Sequence, residues 1–227
     1  MLSLQMLNRF QKFWSEDRNL LILLIFLSIH IFVAIPLGQG SVIGKIVAFV
    51  FYLFVLIAGL KFIASNRIFT VILIIASISL VLVSTHMFSN AAWIAAVSSF
   101  STIACSSLLA WIVLSKTFSE GPITVYRIQG SIVGYLLFGL IFAQIYEFLF
   151  MLIGETAFRG LTTGDEKELL YFSLTTLTTT GYGDISPAIP LSRSIANIES
   201  FIGQLYPAIL IARLVSMEFS DRAKKDV

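Results

Sequence analysis

The stretch LTTTGYGDIS, Leu177 to Ser186, contains the residues of this chain best suited to chemistry. Gly181 and Gly183 can take left-handed backbone dihedrals that other residues resist. If right- and left-handed residues alternate there, successive carbonyl oxygens point to one side. Such a ladder is a hard-ligand site for a dehydrated alkali cation. One chain supplies only one wall of it, so several copies around an axis are implied. Taken alone, Gly181-Tyr182-Gly183-Asp184 could also be an ordinary turn.

The surroundings favour the ladder. Of the 227 residues, 57% are hydrophobic and 12% charged, and the mean hydropathy is +0.92. That composition belongs to an integral membrane protein. A helix needs about 20 apolar residues to span the hydrocarbon core. Six stretches qualify: 19–37, 41–64, 68–88, 91–115, 124–153 and 189–218. They are continuously apolar and do not alternate, which argues against a β-barrel. The fold expected is all-α, with six transmembrane helices, a re-entrant helix and a loop.

Between the last two spans, DEKELLYFSLTTLTTT reads as a helix too short to cross. Thr163 or Asp165 can cap it, with Glu166 and Glu168 at the positive end of its dipole. It must enter the membrane and turn back, with Thr179–Asp184 as the returning segment. Non-helical backbone at that depth is tolerated only against protein or water.

Lys and Arg on short loops favour the cytoplasm. With the N-terminus inside, eleven of the 15 basic residues lie on that side and four outside, namely Lys45, Arg159, Lys167 and Arg193. This places both termini in the cytoplasm and the 154–188 loop outside. Gly121-Pro122 marks a boundary between a four-helix front half, 19–118, and a pore half, 124–218. Residues 1–18 are expected to form a cytoplasmic or interfacial segment, and 219–227 a short tail. Cys105 is the sole cysteine, so no disulfide forms within the chain. His30 and His86 are isolated and read as polar contacts within helices. Membrane lipids are the expected surroundings; no nucleic-acid-binding face or cofactor motif appears.

The run TTLTTTGYGD resembles the selectivity-filter signature of potassium channels. The resemblance covers about 124–218, in the order helix, re-entrant helix, filter, helix. It implies a homotetramer in the cell membrane, with K+ as the permeant ligand and no enzymatic activity. By this resemblance Thr179 would coordinate K+ through hydroxyl and carbonyl, Thr180, Gly181 and Tyr182 through carbonyls, and Gly183 would lie at the mouth. Tyr182 would turn its ring from the axis. Asp184 would be tied to the pore helix, where Tyr171 holds the aromatic donor position. Two departures stand out. Thr180 replaces the usual valine or isoleucine, and Thr175 stands where some members carry a glutamate paired with the aspartate.

In the last span Gly203 matches the family's hinge glycine, and Pro207 favours a kink. Gln204, Ala208, Ile211 and Val215 share a face, read as cavity lining. Ile211, Val215 and Phe219 are candidates for an apolar gate; a helix–helix contact stripe is the alternative. Glu147 and Glu199 are acids inside spans, and so candidate functional groups. A structural role, hydrogen-bonding the back of the pore helix, ranks ahead of ion binding or proton sensing for both. Glu199 is expected to be protonated or fully hydrogen-bonded. The fourth span contains no arginine, so strong voltage gating through it is not expected. No regulatory domain is expected in the seven residues after Ser220. The rival readings are a weakly selective cation channel, the pore subunit of a potassium transporter, and a non-conducting scaffold.

Overall fold

The computed structural model describes residues 19–37, 42–63, 92–119, 125–162 and 168–225. Six helices run through them: α1 (Asn19–Leu37), α2 (Val42–Ile63), α3 (Ala92–Thr117), α4 (Val125–Ile153), α5 (Glu168–Leu177) and α6 (Pro190–Lys225). Among the described residues, four helices are long and apolar enough to cross a membrane, within Asn19–Leu37, Ala96–Thr117, Tyr126–Ile153 and Pro190–Arg213. α2 adds a shorter apolar stretch, Ile46–Gly59. The expected third span, 68–88, lies outside the described residues, as do the 1–18 segment, His86 and the proposed caps Thr163 and Asp165. The last helix reaches Lys225, so the tail from 219 continues it to within two residues of the end.

The chain divides into two compact units, residues 1–73 with 111–134, and residues 74–110 with 135–227. In the first, α1 contains a π-helical stretch, His30–Ala34, just before Pro36. Pro36 lacks an amide hydrogen, so the regular ladder cannot continue through it, and the turn widens. The Ile35 amide reaches back to the His30 carbonyl. Phe26 stacks on Phe54 at 5.1 Å. His30 is buried with its ring 5.6 Å from Tyr52, and its Nδ1 has no hydrogen-bond partner. The polar contact expected of it is thus an aromatic one.

The second unit holds α5 and the 177–186 loop. Its core joins Phe142, Tyr146, Leu149 and Phe150 of α4 to Leu169 and Phe172 of α5, with Phe158, Ile185 and Ala196 closing it. Tyr146, Phe158 and Phe172 form an edge-to-face triangle with centroids 5.0 to 5.6 Å apart. Such pairs add about 0.5–1.5 kcal/mol each beyond burial. Two short strands, β1 (Phe158–Arg159) and β2 (Ser186–Pro187), pair antiparallel on either side of α5 in sequence. They fasten the exit of the loop to the end of α4. Gly160, at φ +78°, lets the backbone pass so close to the Asp184 carbonyl that a Cβ would overlap its oxygen.

α6 begins at Pro190, whose missing N–H costs nothing at a first helical position. The buried Ser192 hydroxyl accepts from the Ile189 amide at 3.3 Å and lies within hydrogen-bond reach of the Ala157 carbonyl at 2.9 Å. Large apolar side chains stay exposed along the helices, among them Phe32, Trp111, Phe201 and Ile211. Such surfaces suit lipid or other helices.

Candidate functional site: the 177–186 loop

α5 ends in a motif that sets the loop's direction. The Thr179 amide bonds to the Thr176 carbonyl at 3.0 Å, and the Thr180 amide to the Thr175 carbonyl at 2.8 Å. This is the pair of bonds in a Schellman cap, with Thr179 at the left-handed position usually given to glycine. Thr179 has φ +58°, the only positive φ of a non-glycine among the described residues. A β-branched residue there is strained. The Gly181 amide also reaches the Thr175 carbonyl, at 3.2 Å.

Beyond the cap, the sign of φ alternates. It is positive at Thr179, Gly181 (+55°) and Gly183 (+84°), and not at Thr180 or Tyr182. A Cβ at Gly181 or Gly183 would meet nothing within 4 Å, so the backbone angle and not space within the subunit calls for glycine. The returning segment is extended in this alternating form and is not a regular strand. Thr178 to Asp184 are all exposed in the subunit.

Side chains brace the loop from behind. The Tyr171 hydroxyl donates to Asp184 Oδ2 at 2.7 Å, and the Ile185 amide to Oδ1 at 3.0 Å. The Tyr171 bond comes first among the causes that hold the Asp184 carboxyl below its usual range. The same bond pushes the Tyr171 phenol up to about 12. The Tyr182 ring stacks on Tyr171, 6.2 Å away and nearly parallel at 4°. Thr175 serves through its backbone; its hydroxyl donates to the Phe172 carbonyl at 3.0 Å and does not reach Asp184. Thr178 donates to the Leu174 carbonyl at 2.7 Å, and its oxygen lies 2.9 Å from the Thr180 hydroxyl. With the Thr178 proton so engaged, Thr180 is the donor between the two. Its side chain is hooked back onto the end of α5.

α4 and α6 hold α5 through Gly203 and Glu199, which the sequence singles out, and through hydroxyls of Tyr135, Tyr146 and Ser173, which it does not. The Tyr135 hydroxyl donates to the Leu177 carbonyl at 3.1 Å. The same carbonyl faces Gly203, where an added Cβ would overlap its oxygen. Gly203 is therefore a close-packing glycine in an uninterrupted helix, whatever bending it also permits. Ser173 is fully buried and 2.7 Å from the Gly139 carbonyl. Glu199, also fully buried, meets Ser173 at 2.5 Å and Tyr146 at 2.6 Å. Glu147, beside Tyr146 in α4, is half-buried. Ser173, Tyr146 and Tyr135 were missed because hydroxyls in an apolar helix carry no spacing signature. Their only sequence trace is polarity where lipid-facing helices have none.

Gln204, Ala208, Ile211 and Val215 are all exposed. Leu205 and Ile209 are exposed too, so the uncovered arc of α6 is wider than the one face predicted. Pro207 lies within the helix, half-buried, while the Phe219 side chain lies outside the description. No group of three or more His, Cys, Asp or Glu placed to hold a metal occurs among the described residues.

Residues 131–219 match a family model described as Ion channel. The match takes in most of α4, all of α5, the loop and α6 as far as Phe219. Comparisons with curated proteins and with solved structures gave no match. Together with the apolar helices, the match over residues 131–219 supports an ion channel in a membrane and indicates a channel rather than an enzyme.

Proposed function

We propose that the chain is the subunit of a potassium-selective channel, four copies of which surround one conduction path. The alternating sign of φ at Thr179, Gly181 and Gly183 carries this reading. Alternation turns consecutive carbonyls to one side, and a fourfold ring of them can replace the water around K+. Thr179, Thr180, Gly181 and Tyr182 then coordinate the ion, with Gly183 at the mouth. Tyr171 and Asp184 keep the strand upright from behind. Gln204, Ala208, Ile211 and Val215 line the cavity below, and Ile211, Val215 and Phe219 narrow it. Six spans in a cell membrane with both termini in the cytoplasm complete the topology. K+ is the permeant ligand, and no cofactor is required.

A second reading, a weakly selective cation channel, is favoured by one observation: Thr180 carries a hydroxyl, bonded to Thr178, where an aliphatic side chain would exclude water. One experiment tests both. The purified protein is reconstituted in planar bilayers, and reversal potentials are read with K+ on one side and Na+ on the other. A potential near that of K+ supports the first reading, one near zero the second. Absence of current from protein shown to be folded and inserted overturns both.

A further inference from the structure

Three short oxygen–oxygen contacts converge where α4, α5 and α6 meet. Tyr146 Oη lies 2.6 Å from Glu199 Oε2, Ser173 Oγ 2.5 Å from Glu199 Oε1, and Ser173 Oγ 2.7 Å from the Gly139 carbonyl oxygen. Each contact needs a proton between its oxygens. Tyr146 supplies one to Oε2. Ser173 has a single hydroxyl proton but two partners, and the Gly139 carbonyl has none to give. With Glu199 ionised, one of the two Ser173 contacts would set lone pair against lone pair. A proton on Glu199 Oε1 completes the set. The acid then donates to Ser173, Ser173 donates to Gly139, and Tyr146 donates to the remaining carboxyl oxygen.

We infer that Glu199 is held as a neutral carboxylic acid whose proton completes a Tyr146–Glu199–Ser173–Gly139 hydrogen-bond chain that positions α5, and with it the 177–186 loop. All four residues are described in the same compact unit. The tyrosine and serine side chains and the acid are each buried to within 1% of full coverage. A buried network of this kind rigidifies when every member is paired, and is costly when one is not. Among the described residues the groups that hydrogen-bond the acid are two hydroxyls and no cation, so a carboxylate at the same place would lack a charged partner there. Glu199 is thus a positioning residue. It acts on conduction through Ser173 and the helix that bears it, and touches no permeant ion.

The inference stands apart from the choice of ion, and its test can be read without any flux. Infrared difference spectra of purified wild type against Glu199→Gln should show a protonated-carboxyl C=O stretch that shifts in D2O. In Ser173→Ala the same band should move to higher frequency, as the acid loses its acceptor. Glutamine reproduces the neutral acid's pattern, with an amide N–H for the acid O–H. Glu199→Gln should therefore keep the thermal stability and flux of the wild type. Glu199→Ala should lose about tenfold or more of flux, and should melt at lower temperature. Carboxylate bands alone in the wild-type difference spectrum would overturn the inference. So would a Glu199→Gln protein as impaired as Glu199→Ala. If either variant fails to fold, the acid band is read on wild type labelled at glutamate, where its absence is equally decisive.

Discussion

At Thr179 the chain leaves α5 and enters the alternating segment, and a threonine stands where a helix cap ordinarily places glycine. The left-handed region costs an L-residue about 1–2 kcal/mol. Two amide bonds to Thr175 and Thr176 hold it there. Gly181 and Gly183 bear the same sign of φ with no more than one such bond, from the Gly181 amide to Thr175, so substitution should be felt directly. Gly181→Ala or Gly183→Ala is expected to abolish potassium flux in liposomes while leaving the helical content by circular dichroism unchanged. Behind them, Tyr171 and Asp184 make a pH-sensitive brace. The bond holds the Asp184 carboxyl below its usual range, so the brace is intact at neutral pH. It is lost as pH falls through that lowered value. Removing the donor lets the carboxyl return towards its ordinary range. In Tyr171→Phe the acid-side loss of current should therefore begin at higher pH than in wild type, as measured by single-channel recording across an acid titration. An unchanged acid limb would show that the brace does not set it.

At the scale of elements, α6 is held to α5 at Gly203, where the Leu177 carbonyl leaves no room for a methyl group. Overpacking of this kind costs about 1–3 kcal/mol. Gly203→Ala should lower the thermal unfolding temperature in detergent, whereas Pro207→Ala should not lower it, since proline only weakens a helix interior. If α6 bends in opening, the bend is then expected at Pro207, one turn beyond the clamp, and Pro207→Ala should change open probability more than stability. How much of this was legible in the sequence differs by residue. The glycines of the loop could be read because they express a local rule, a backbone angle; the Tyr171–Asp184 pair followed only from the resemblance to potassium-channel filters. The packing role of Gly203 could not, because it depends on a carbonyl 26 positions earlier in the chain. Nor could the cap at Thr179, since threonine is not a residue that announces a left-handed turn. The four long spanning helices followed from hydropathy, but the length of α6 did not. Its last turns, MEFSDRAKK, are polar, and a hydropathy limit stops short of them.

For the molecule as a whole, the composition is that of a membrane protein, and the family match over residues 131–219 supports an ion channel. α3 carries no arginine and has its lone basic residue, Lys116, in the last turn. Voltage sensing needs several charges moved through the field, each worth about 2.3 kcal/mol per 100 mV. Current in symmetric potassium should therefore vary with voltage without a steep sigmoidal rise, as voltage ramps on reconstituted protein would show. The bonds that shape the 177–186 loop, from the cap at Thr175 and Thr176 to the Tyr171 hydroxyl, are all made within one chain. In the proposed tetramer each copy would bring these bonds with it. In such a ring a single faulty loop would suffice to spoil the conduction path. Co-expressed with wild type, a loop variant that still assembles should silence far more current than its share of the subunits, the pattern geneticists call dominant.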